Sequence, residues 1–523
     1  MALGNILKSL RDIMRQDKGV SGDAQRLEQM SWLFFLKVYD AQEEIWESDD
    51  DGFESAIPDE YRWRNWAKSK DESGKSIQSA TAGNLIRLVN RMISYFKPAE
   101  NDADEDSSDE NNTGINSESK NDEPKKIQPT GDWRKDIIIE VFRDVNNYMK
   151  DGGLLRQVVD VINEIDLSDA DERHSFGDIY EKMLQEMQAA GAAGEFYTPR
   201  AVTTFIIDHL NPKLGELVAD YACGTGGFLA SALEFLAKQK HNADDEKLYQ
   251  KSVYGQEWKA LPYVLCITNL LLKDLDAPNI KNVDSLTFKN IDDVTDADKA
   301  NVIAMNPPYG GVSSSAAKEN LDCQSSETAD LFIKLITEML AENGRAGVII
   351  PDGFLFGDGA KKDLKESLLR KFNLHTVIRL PKSVFAPYTS IATNILFFNN
   401  ETAKGAPQGF HTKETWFYRL DMPEGYKNFS KTKYMRREHL APADLWWNDR
   451  KEIIIGDGDI KAKCFSAEEI AADNFNLDKC KYPQEVETIL PPDELLSSYH
   501  AERERLNAEI DRQLAEIQSI LKN

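Results

Sequence analysis

The chain has 523 residues and a formal net charge of −26 at pH 7, because 89 Asp and Glu residues outnumber 63 Lys and Arg residues. Its length fits roughly three domains, and its 41% content of hydrophobic residues excludes a chain that is disordered throughout. The acidic balance argues against tight, unaided nucleic-acid binding, because Lys and Arg side chains drive phosphate binding.

The sequence lacks the patterns of a membrane span, a signal peptide or a metal site. No apolar run reaches the ~18 residues that cross a bilayer, and residues 1–10 lack an apolar signal core. The five cysteines are scattered without a CxxC pair, and the seven histidines show no HExxH spacing. We therefore expect a cytoplasmic protein with reduced thiols, no membrane partner and no bound metal.

Helical periodicity dominates the N-terminal part of the chain. Apolar residues recur every three or four positions from Asp23 to Ile45, and similar patterns cover Ala82–Tyr95, Trp133–Met149 and Leu154–Ile165. Strand alternation is missing there. The sequence predicts an all-α domain over residues 1–165.

An acidic insert interrupts this domain. Residues 100–124 contain ten acidic residues and one Lys, with Ile115 as the only apolar residue besides one Ala. Such a segment cannot bury enough surface to stay ordered. We expect a disordered, solvated loop, and a DNA-mimicking acidic arm is the alternative.

Short apolar strands alternate with helical segments from about Thr198 onward. This alternation predicts an α/β domain over residues 166–475, with a doubly wound, mostly parallel, Rossmann-like sheet. Ser390–Phe398 is expected to close the sheet as an antiparallel edge hairpin. Ligands of such sheets bind beyond the carboxyl ends of the strands. The predicted strands of this sheet are Leu217–Ala222, Ser252–Gly255, Asn279–Val283, Val302–Met305, Ala346–Ile350 and His375–Leu380.

The C-terminal part, residues 476–523, is predicted to be a connector followed by a helix. Its narrow apolar stripe cannot form a core alone, so the helix should pack on its own chain or on a partner subunit. The stripe consists of Leu506, Ile510, Leu514, Ile517 and Leu521.

A glycine-rich loop follows the first predicted strand. Its sequence is Asp220-Tyr-Ala-Cys-Gly-Thr-Gly-Gly227, and glycines allow close approach to a ligand at a helix N-terminus. A P-loop lysine is missing, and Glu257 lies 31 residues after Gly226, against about 20 in nicotinamide dinucleotide folds. Glu257 can still accept hydrogen bonds from two ribose hydroxyls.

A second motif, Asn306-Pro307-Pro308-Tyr309, ends another predicted strand. The prolines fix the backbone and leave the Asn306 amide oxygen and the Pro307 carbonyl free to accept hydrogen bonds. Two such bonds from an exocyclic amine draw its nitrogen toward a tetrahedral, more nucleophilic state. Tyr309 can stack on a flat substrate for ~1–3 kcal/mol.

Together with Gly194-Glu-Phe-Tyr-Thr-Pro-Arg200, these motifs resemble the DNA adenine-N6 methyltransferases, and within them the modification subunit of type I restriction-modification systems. The resemblance covers nearly the whole chain, although Glu195 stands where Gln is frequent. Thr198 is further expected to N-cap a helix whose first residue is Pro199.

The resemblance implies S-adenosylmethionine as the cofactor and methyl transfer to adenine N6 of a flipped base. Catalysis would rest on Asn306, Pro307, Pro308 and Tyr309, while Tyr309 and Phe385 would stack on the target base. Residues implied in cofactor binding are Glu195, Phe196, Tyr197, Thr198, Pro199, Arg200, Asp220, Gly224, Thr225, Gly226, Gly227, Glu257 and Asp284.

The chain offers no evident surface for reading base edges. The basic run Lys431–Arg437 is interpreted as a solvated face, so a separate specificity subunit should choose the DNA sequence. The resemblance implies an assembly of two modification subunits with one specificity subunit, joined by a motor-nuclease restriction subunit for cleavage. The terminal helix is the candidate contact.

Three alternatives remain open on the sequence. The same clamp could methylate a glutamine amide of a protein or a base in RNA. The chain could also be a non-catalytic scaffold that keeps a cofactor fold. A nicotinamide-dependent oxidoreductase is disfavoured by the spacing of Glu257 from the glycine loop.

Overall fold

The computed structural model describes residues 3–68, 81–98, 126–167, 170–189, 197–386, 388–430, 432–456, 458–483 and 492–522. Contacts divide the chain into two compact units, Met1–Cys480 and Lys481–Asn523. The acidic insert at residues 100–124 lies outside the described residues, so its predicted disorder stays a prediction.

The described residues up to 167 form helices and connecting segments without a strand, as the periodicity predicts. Trp133–Met149 was expected to be one helix, yet the helix ends at Phe142. Backbone N–H groups beyond it donate instead to side chains that are distant in sequence. The N–H of Tyr148 donates to Gln29 Oε1 at 2.9 Å, and the N–H of Lys150 donates to Asp17 Oδ2 at 3.0 Å. The helices are α1 (Leu3–Met14), α2 (Asp23–Asp49), α3 (Trp63–Trp66), α4 (Ala82–Phe96), α5 (Trp133–Phe142) and α6 (Gly152–Asn163).

The α/β part of the first unit begins with two helices that lead into the sheet. Its helices are α7 (Ala170–Ala189), α8 (Arg200–Leu210), α9 (Gly227–Ala237), α10 (Ala243–Tyr249), α11 (Ala260–Leu271), α12 (Ser315–Asn320), α13 (Thr328–Met339), α14 (Asp352–Phe356), α15 (Ala360–Lys371), α16 (Ala441–Asn448) and α17 (Ala467–Ala472). Its strands are β1 (Val218–Asp220), β2 (Val253–Gln256), β3 (Ile280–Lys281), β4 (Ala300–Met305), β5 (Leu340–Pro351), β6 (Asn373–Arg379), β7 (Thr393–Asn399), β8 (Glu414–Arg419), β9 (Ile453–Ile455) and β10 (Asp459–Ser466).

The strands form one mixed sheet in the order β3-β2-β1-β4-β5-β7-β6-β8-β10-β9. Strands β1 to β5 pair in parallel, which confirms the predicted doubly wound core. Both faces of β1 and most of β4 are buried, because helices cover the two sides. One hydrophobic cluster joins one face of the sheet to the helical domain, and a second covers the other face.

The predicted edge position of the antiparallel segment is wrong. β7 is antiparallel, but it lies between β5 and β6 and pairs with both. The sheet then continues through β8, β10 and β9, and the latter two are built from residues whose alternation is weak in the sequence. Because β7 is buried on both faces, its apolar run is typical of an interior strand.

The helical domain is bonded to the sheet domain near the start of β3. Asp276 accepts hydrogen bonds from Gln42 Nε2 at 2.9 Å and from Trp46 Nε1 at 3.0 Å. Trp133 Nε1 donates to the Pro278 carbonyl at 2.6 Å. These contacts fix the segment that leads into β3, so the two parts of the first unit form one body.

The second unit contains α18 (Pro492–Lys522). Leu506, Ile510 and Leu514 of its stripe are each about half exposed. Among the described helices, none combines the length and apolarity that a membrane span requires.

A buried carboxyl group on α2 makes the stability of the helical domain depend on pH. Glu43 accepts a hydrogen bond from Ser55 Oγ at 2.5 Å and lies 3.5 Å from Arg62 Nε. Burial outweighs both contacts and raises the pKa of Glu43 to about 7. Its stabilising contribution is therefore complete below about pH 4 and is lost as the pH rises through 7.

Glu43→Gln should consequently stabilise the protein at pH 8 and leave it unchanged at pH 4. We expect the melting temperature to rise by about 2–4 °C at pH 8, because the variant cannot ionise. Scanning calorimetry at the two pH values measures the difference. Glu44→Gln, at an exposed position of the same helix, serves as the control, and an equal gain at both pH values would contradict the assignment.

Candidate functional site

The glycine loop turns directly from β1 into α9. Gly224 and Gly226 have φ angles of +54° and +80°, which lie in the left-handed region. A Cβ on Gly226 would also lie 2.8 Å from Cys266 Sγ. The loop is fixed further by Asn269 Nδ2, which donates to the Thr225 carbonyl at 3.0 Å. Glycine at 226 is thus required by both backbone conformation and close packing.

Glu257 follows β2 and points its carboxylate at the glycine loop. Oε2 accepts from the Gly224 N–H at 2.9 Å and Oε1 accepts from the Lys259 N–H at 2.8 Å. Burial raises the pKa of this carboxyl, while the two N–H groups act in the opposite direction. The arrangement holds a nearly buried carboxylate at the carboxyl edge of the sheet, beside the loop.

Asp220 ends β1 and lies inside the loop. Its side chain is 1% exposed and accepts from the Ala222 N–H at 3.0 Å. Burial raises the pKa of Asp220 to about 8, and the charge of Glu257 contributes. These contacts support the loop from within.

The segment after β3 crosses to the end of β2. Asn282 Nδ2 donates to the carbonyls of Glu257 and Trp258 at 2.8 and 3.0 Å, and the Val283 N–H donates to the Glu257 carbonyl at 3.1 Å. Asp284 follows in a turn, where it accepts from the Leu286 N–H at 3.1 Å. The edge of the sheet therefore brings Asp284 and Glu257 into one region, although they are 27 residues apart in sequence.

Trp258 is a candidate that the sequence analysis missed. Its side chain is 70% exposed, directly after the strand-terminal Glu257. An exposed indole at such a position offers a flat apolar surface beside a carboxylate. The signal in the sequence was the aromatic residue that immediately follows a strand-terminal acid.

Asn306 follows β4 at the same edge and is held from two sides. Its Nδ2 donates to Thr198 Oγ1 at 3.1 Å, and its Oδ1 accepts a hydrogen bond from the Tyr309 hydroxyl. Pro307 is buried, whereas Pro308 is exposed. Burial raises the pKa of Tyr309, whose hydroxyl therefore remains a donor. The amide oxygen is thus capped by a side chain of its own motif.

The segment before α8 joins the clamp to the glycine loop. Tyr197 donates through its hydroxyl to Glu181 Oε1 at 2.9 Å, and Arg200 donates to the Gly227 carbonyl at 2.7 Å. Arg200 also forms an ion pair with Glu234 at 2.7 Å. Glu195 and Phe196 lie outside the described residues.

The predicted helix cap at Thr198 is wrong. The helix begins at Arg200 with Pro199 as the N-cap residue, and no side chain caps it. Thr198 Oγ1 instead accepts the amide of Asn306. The Thr198 hydroxyl oxygen, which the local sequence pattern predicts to cap the helix, is thus bonded to a residue 108 positions away in sequence.

The loop between β6 and β7 contributes aromatic residues of contrasting exposure. Phe385 is 3% exposed and belongs to the hydrophobic core. Tyr388 is 40% exposed, and its charge contributes, after burial, to the raised pKa of Tyr309. Stacking of Phe385 on a base stays a prediction, and Tyr388 is a further candidate that the sequence analysis did not single out.

The described residues contain no cluster of three or more His, Cys, Asp or Glu side chains that could hold a metal ion. The polar groups at the sheet edge are instead single carboxylates, an amide and backbone N–H groups. They suit hydrogen bonding to an organic ligand.

Comparison with known proteins identifies the family. The family model of N-6 DNA methylases matches residues 171–489, and that of the HsdM N-terminal domain matches residues 3–162. The methylase subunit of the type I restriction enzyme EcoEI from Escherichia coli is 42% identical over 523 residues, which cover 99% of this chain and 98% of that protein.

Solved structures agree. A modification subunit of a type I restriction enzyme from Vibrio vulnificus YJ016 has a TM-score of 0.68 at 37% identity and covers 90% of this chain and 92% of its own. A structure describing complex assembly and conformational transition of the type I R-M system has a TM-score of 0.74 at 30% identity. The match covers 99% of this chain and 98% of the chain in that structure. The chain therefore belongs to the N-6 DNA methylases, within the group of type I restriction enzyme methylase subunits, which confirms the family, fold class and enzymatic activity predicted from its sequence.

Proposed function

We propose that this subunit transfers the methyl group of S-adenosylmethionine to adenine N6 in DNA, in the cytoplasm, at sequences chosen by a separate specificity subunit. The observation that carries the proposal is the hydrogen bond of 3.1 Å between Asn306 and Thr198. It joins the amide clamp to the segment that contacts the glycine loop through Arg200. The hydrogen-bond acceptors for the target amine and the glycine loop that would bind the methyl donor thus lie at the same edge of the sheet.

The residues at the edge fit this cofactor. Glu257 has both carboxylate oxygens bonded to backbone N–H groups, and its remaining lone pairs can accept the two ribose hydroxyls. The exposed ring of Trp258 can cover the adenine, and Asp284 can accept from its amino group. The loop Gly224–Gly227 approaches the methionine end with backbone alone. When bound, the cofactor supplies an electrophilic sulfonium methyl group.

The clamp residues act on the target amine. Asn306 Oδ1 and the Pro307 carbonyl would each accept a hydrogen bond from one of the two N6–H groups, which localises the nitrogen lone pair and directs it at the methyl group. In the structure, the Tyr309 hydroxyl donates a hydrogen bond to Asn306 Oδ1. We infer that Tyr309 leaves Oδ1 when the base enters and then stacks on the adenine ring. Proximity and orientation supply most of the acceleration.

The flipped base needs a second flat contact. Phe385 is the residue implied by the resemblance, but its burial in the core requires a rearrangement of the loop before it could stack. Tyr388 is already exposed near Tyr309, so it is the alternative aromatic surface. Base flipping itself costs a few kcal/mol.

Assembly is proposed from charge and from the terminal helix. The net charge of −26 disfavours strong solitary DNA binding. The structure with a TM-score of 0.74 describes complex assembly of a type I system. By likeness to these proteins, we propose partners of four kinds: DNA, a specificity subunit, a second copy of this chain and a restriction subunit.

The domain limits at residues 165 and 475 stay a prediction.

The apolar stripe of α18 is the proposed contact with the specificity subunit. Leu506→Ala should weaken that association about tenfold, because burial of a leucine side chain contributes ~1.5–3 kcal/mol. Co-purification and calorimetric titration of the two subunits measure the effect. Glu504→Ala in the same helix is the control, and unchanged affinity of the leucine variant would contradict the contact.

The function is tested by transfer of labelled methyl groups with and without the specificity subunit. We expect label at N6 of adenine in DNA carrying the target sequence, dependent on that subunit. Label in a protein glutamine or in RNA would overturn the proposal in favour of the alternative substrates. Cofactor binding without transfer to any of the three would favour the scaffold.

A further inference from the structure

A cleft of about 290 Å³ opens beside the clamp. Four elements line it: α7 through Glu181 and Gln185, the start of α8 with the residues before it, the loop between β6 and β7, and the segment 434–437. Tyr197 and Pro199 are among the lining residues, and Thr198 between them holds Asn306. The cleft is therefore adjacent to the residue that is proposed to bind the target amine.

Residues 434–437, on one side of this cleft, end the sequence segment 425–437, which we call the basic segment. It contains three Lys and two Arg residues and no acidic residue, in a chain whose overall charge is −26. The N–H of Phe429 donates to Ser383 Oγ at 2.9 Å, which attaches the segment to the loop between β6 and β7. Phe429 and Met435 are buried, so the segment is anchored by its apolar residues.

The cations of the basic segment divide into neutralised and exposed groups. Arg437 pairs with Asp208 at 2.8 Å and with Asp444 at 2.6 Å, so it stabilises the fold. Arg436 is 58% exposed, and its ion-pair contact is a long one of 3.8 Å to the exposed Glu438. Lys427 and Lys433 are exposed as well. Anchored backbone with exposed cations is not the pattern of a merely solvated face.

We propose that the basic segment binds the backbone phosphates of DNA next to the flipped adenine, through Lys433 and Arg436. This inference rests on the proposed function. A nucleotide that rotates out of the duplex carries its phosphates toward the protein, and those phosphates must be held while the base occupies the clamp. Arg436 can form two parallel hydrogen bonds to one phosphate. The acidic remainder of the chain keeps binding local to the site.

The experiment compares the double variant Lys433→Gln/Arg436→Gln with wild type, each assembled with the specificity subunit. We expect the KM for target DNA to rise about tenfold and the affinity for S-adenosylmethionine to stay unchanged. The slope of log affinity for DNA against log salt concentration should become shallower by up to about 2, because each phosphate contact contributes about 0.9. Unchanged cofactor affinity shows that the variant is folded.

Two controls sharpen the result. Lys433→Arg/Arg436→Lys keeps both charges and should retain most of the DNA affinity. Arg15→Gln/Lys247→Gln removes two exposed cations outside the basic segment and should leave the KM and the salt slope at wild-type values. An identical loss in this second control would mean that only net charge matters and would overturn the assignment to the basic segment.

The outcomes separate this inference from the proposed function. If wild type methylates DNA and the Gln double variant has the wild-type KM and salt slope, the phosphate contact is refuted and the methyltransferase function stands. If the variant binds S-adenosylmethionine like wild type but fails to join the specificity subunit, the segment binds protein and the inference is overturned. If wild type methylates no DNA, both proposals fail.

Discussion

Asn306→Ala is expected to lower kcat for methyl transfer to DNA by about 10²–10³-fold, the effect that loss of one preorganised hydrogen-bonding group has in other active sites. The affinity for S-adenosylmethionine should change by less than about threefold, because Asn306 contacts Thr198 and not the glycine loop itself. Single-turnover kinetics and cofactor titration measure the two quantities separately.

Graded substitutions at position 306 test the acceptor role. Asn306→Asp keeps a side-chain oxygen but loses the donor to Thr198 Oγ1, so part of the activity should remain. Asn306→Ala removes both. Asn399→Ala is the matched control, because Asn399 ends β7 and donates to Glu401. Turnover near the wild-type rate in Asn306→Ala would refute the clamp.

The core of the fold could be predicted because its signals are local. Apolar runs such as the one before Asn306 mark strands that are buried on both faces, and glycines mark the turn after β1. A strand and the motif that follows it are adjacent in sequence, so the residues at the carboxyl edge of the sheet could be predicted from the sequence. The parallel direction of β1, β2 and β3, and of β4 and β5, then follows from the helices between those strands.

The remaining features depend on contacts between distant residues. The interior place of β7 is decided by its pairing with β5 on one side and β6 on the other. Thr198 and Asn306 are joined across 108 residues, and no periodicity indicates that bond. The exposure of Trp258 and the burial of Phe385 are likewise properties of packing. The sequence motifs thus indicate which edge of the sheet carries the site, whereas contacts between distant residues determine which side chains are exposed there.

Glu257→Ala should lower the affinity for S-adenosylmethionine by about 10²–10⁴-fold. Two hydrogen bonds between a charged carboxylate and the ribose hydroxyls would be lost, at ~1.5–3 kcal/mol each. The Gly224 N–H would also lose its acceptor at 2.9 Å. Glu257→Gln keeps one oxygen and should lose about tenfold. Isothermal titration with the cofactor measures both, and Glu246→Ala on α10, at a half-exposed carboxylate that pairs with Lys240, is the control.

The ribose contact can be separated from the support that Glu257 gives to the loop. An analogue of the cofactor without the ribose 2′-hydroxyl should bind wild type more weakly, whereas Glu257→Ala should bind cofactor and analogue equally, as a double-mutant cycle requires. Because burial raises the pKa of Glu257 and the ribose contact favours the ionised form, cofactor affinity of wild type should fall as the pH is lowered through that pKa. Glu257→Gln should lack this dependence. If the analogue is discriminated equally by wild type and alanine variant, Glu257 acts on Gly224 alone and the ribose is held elsewhere.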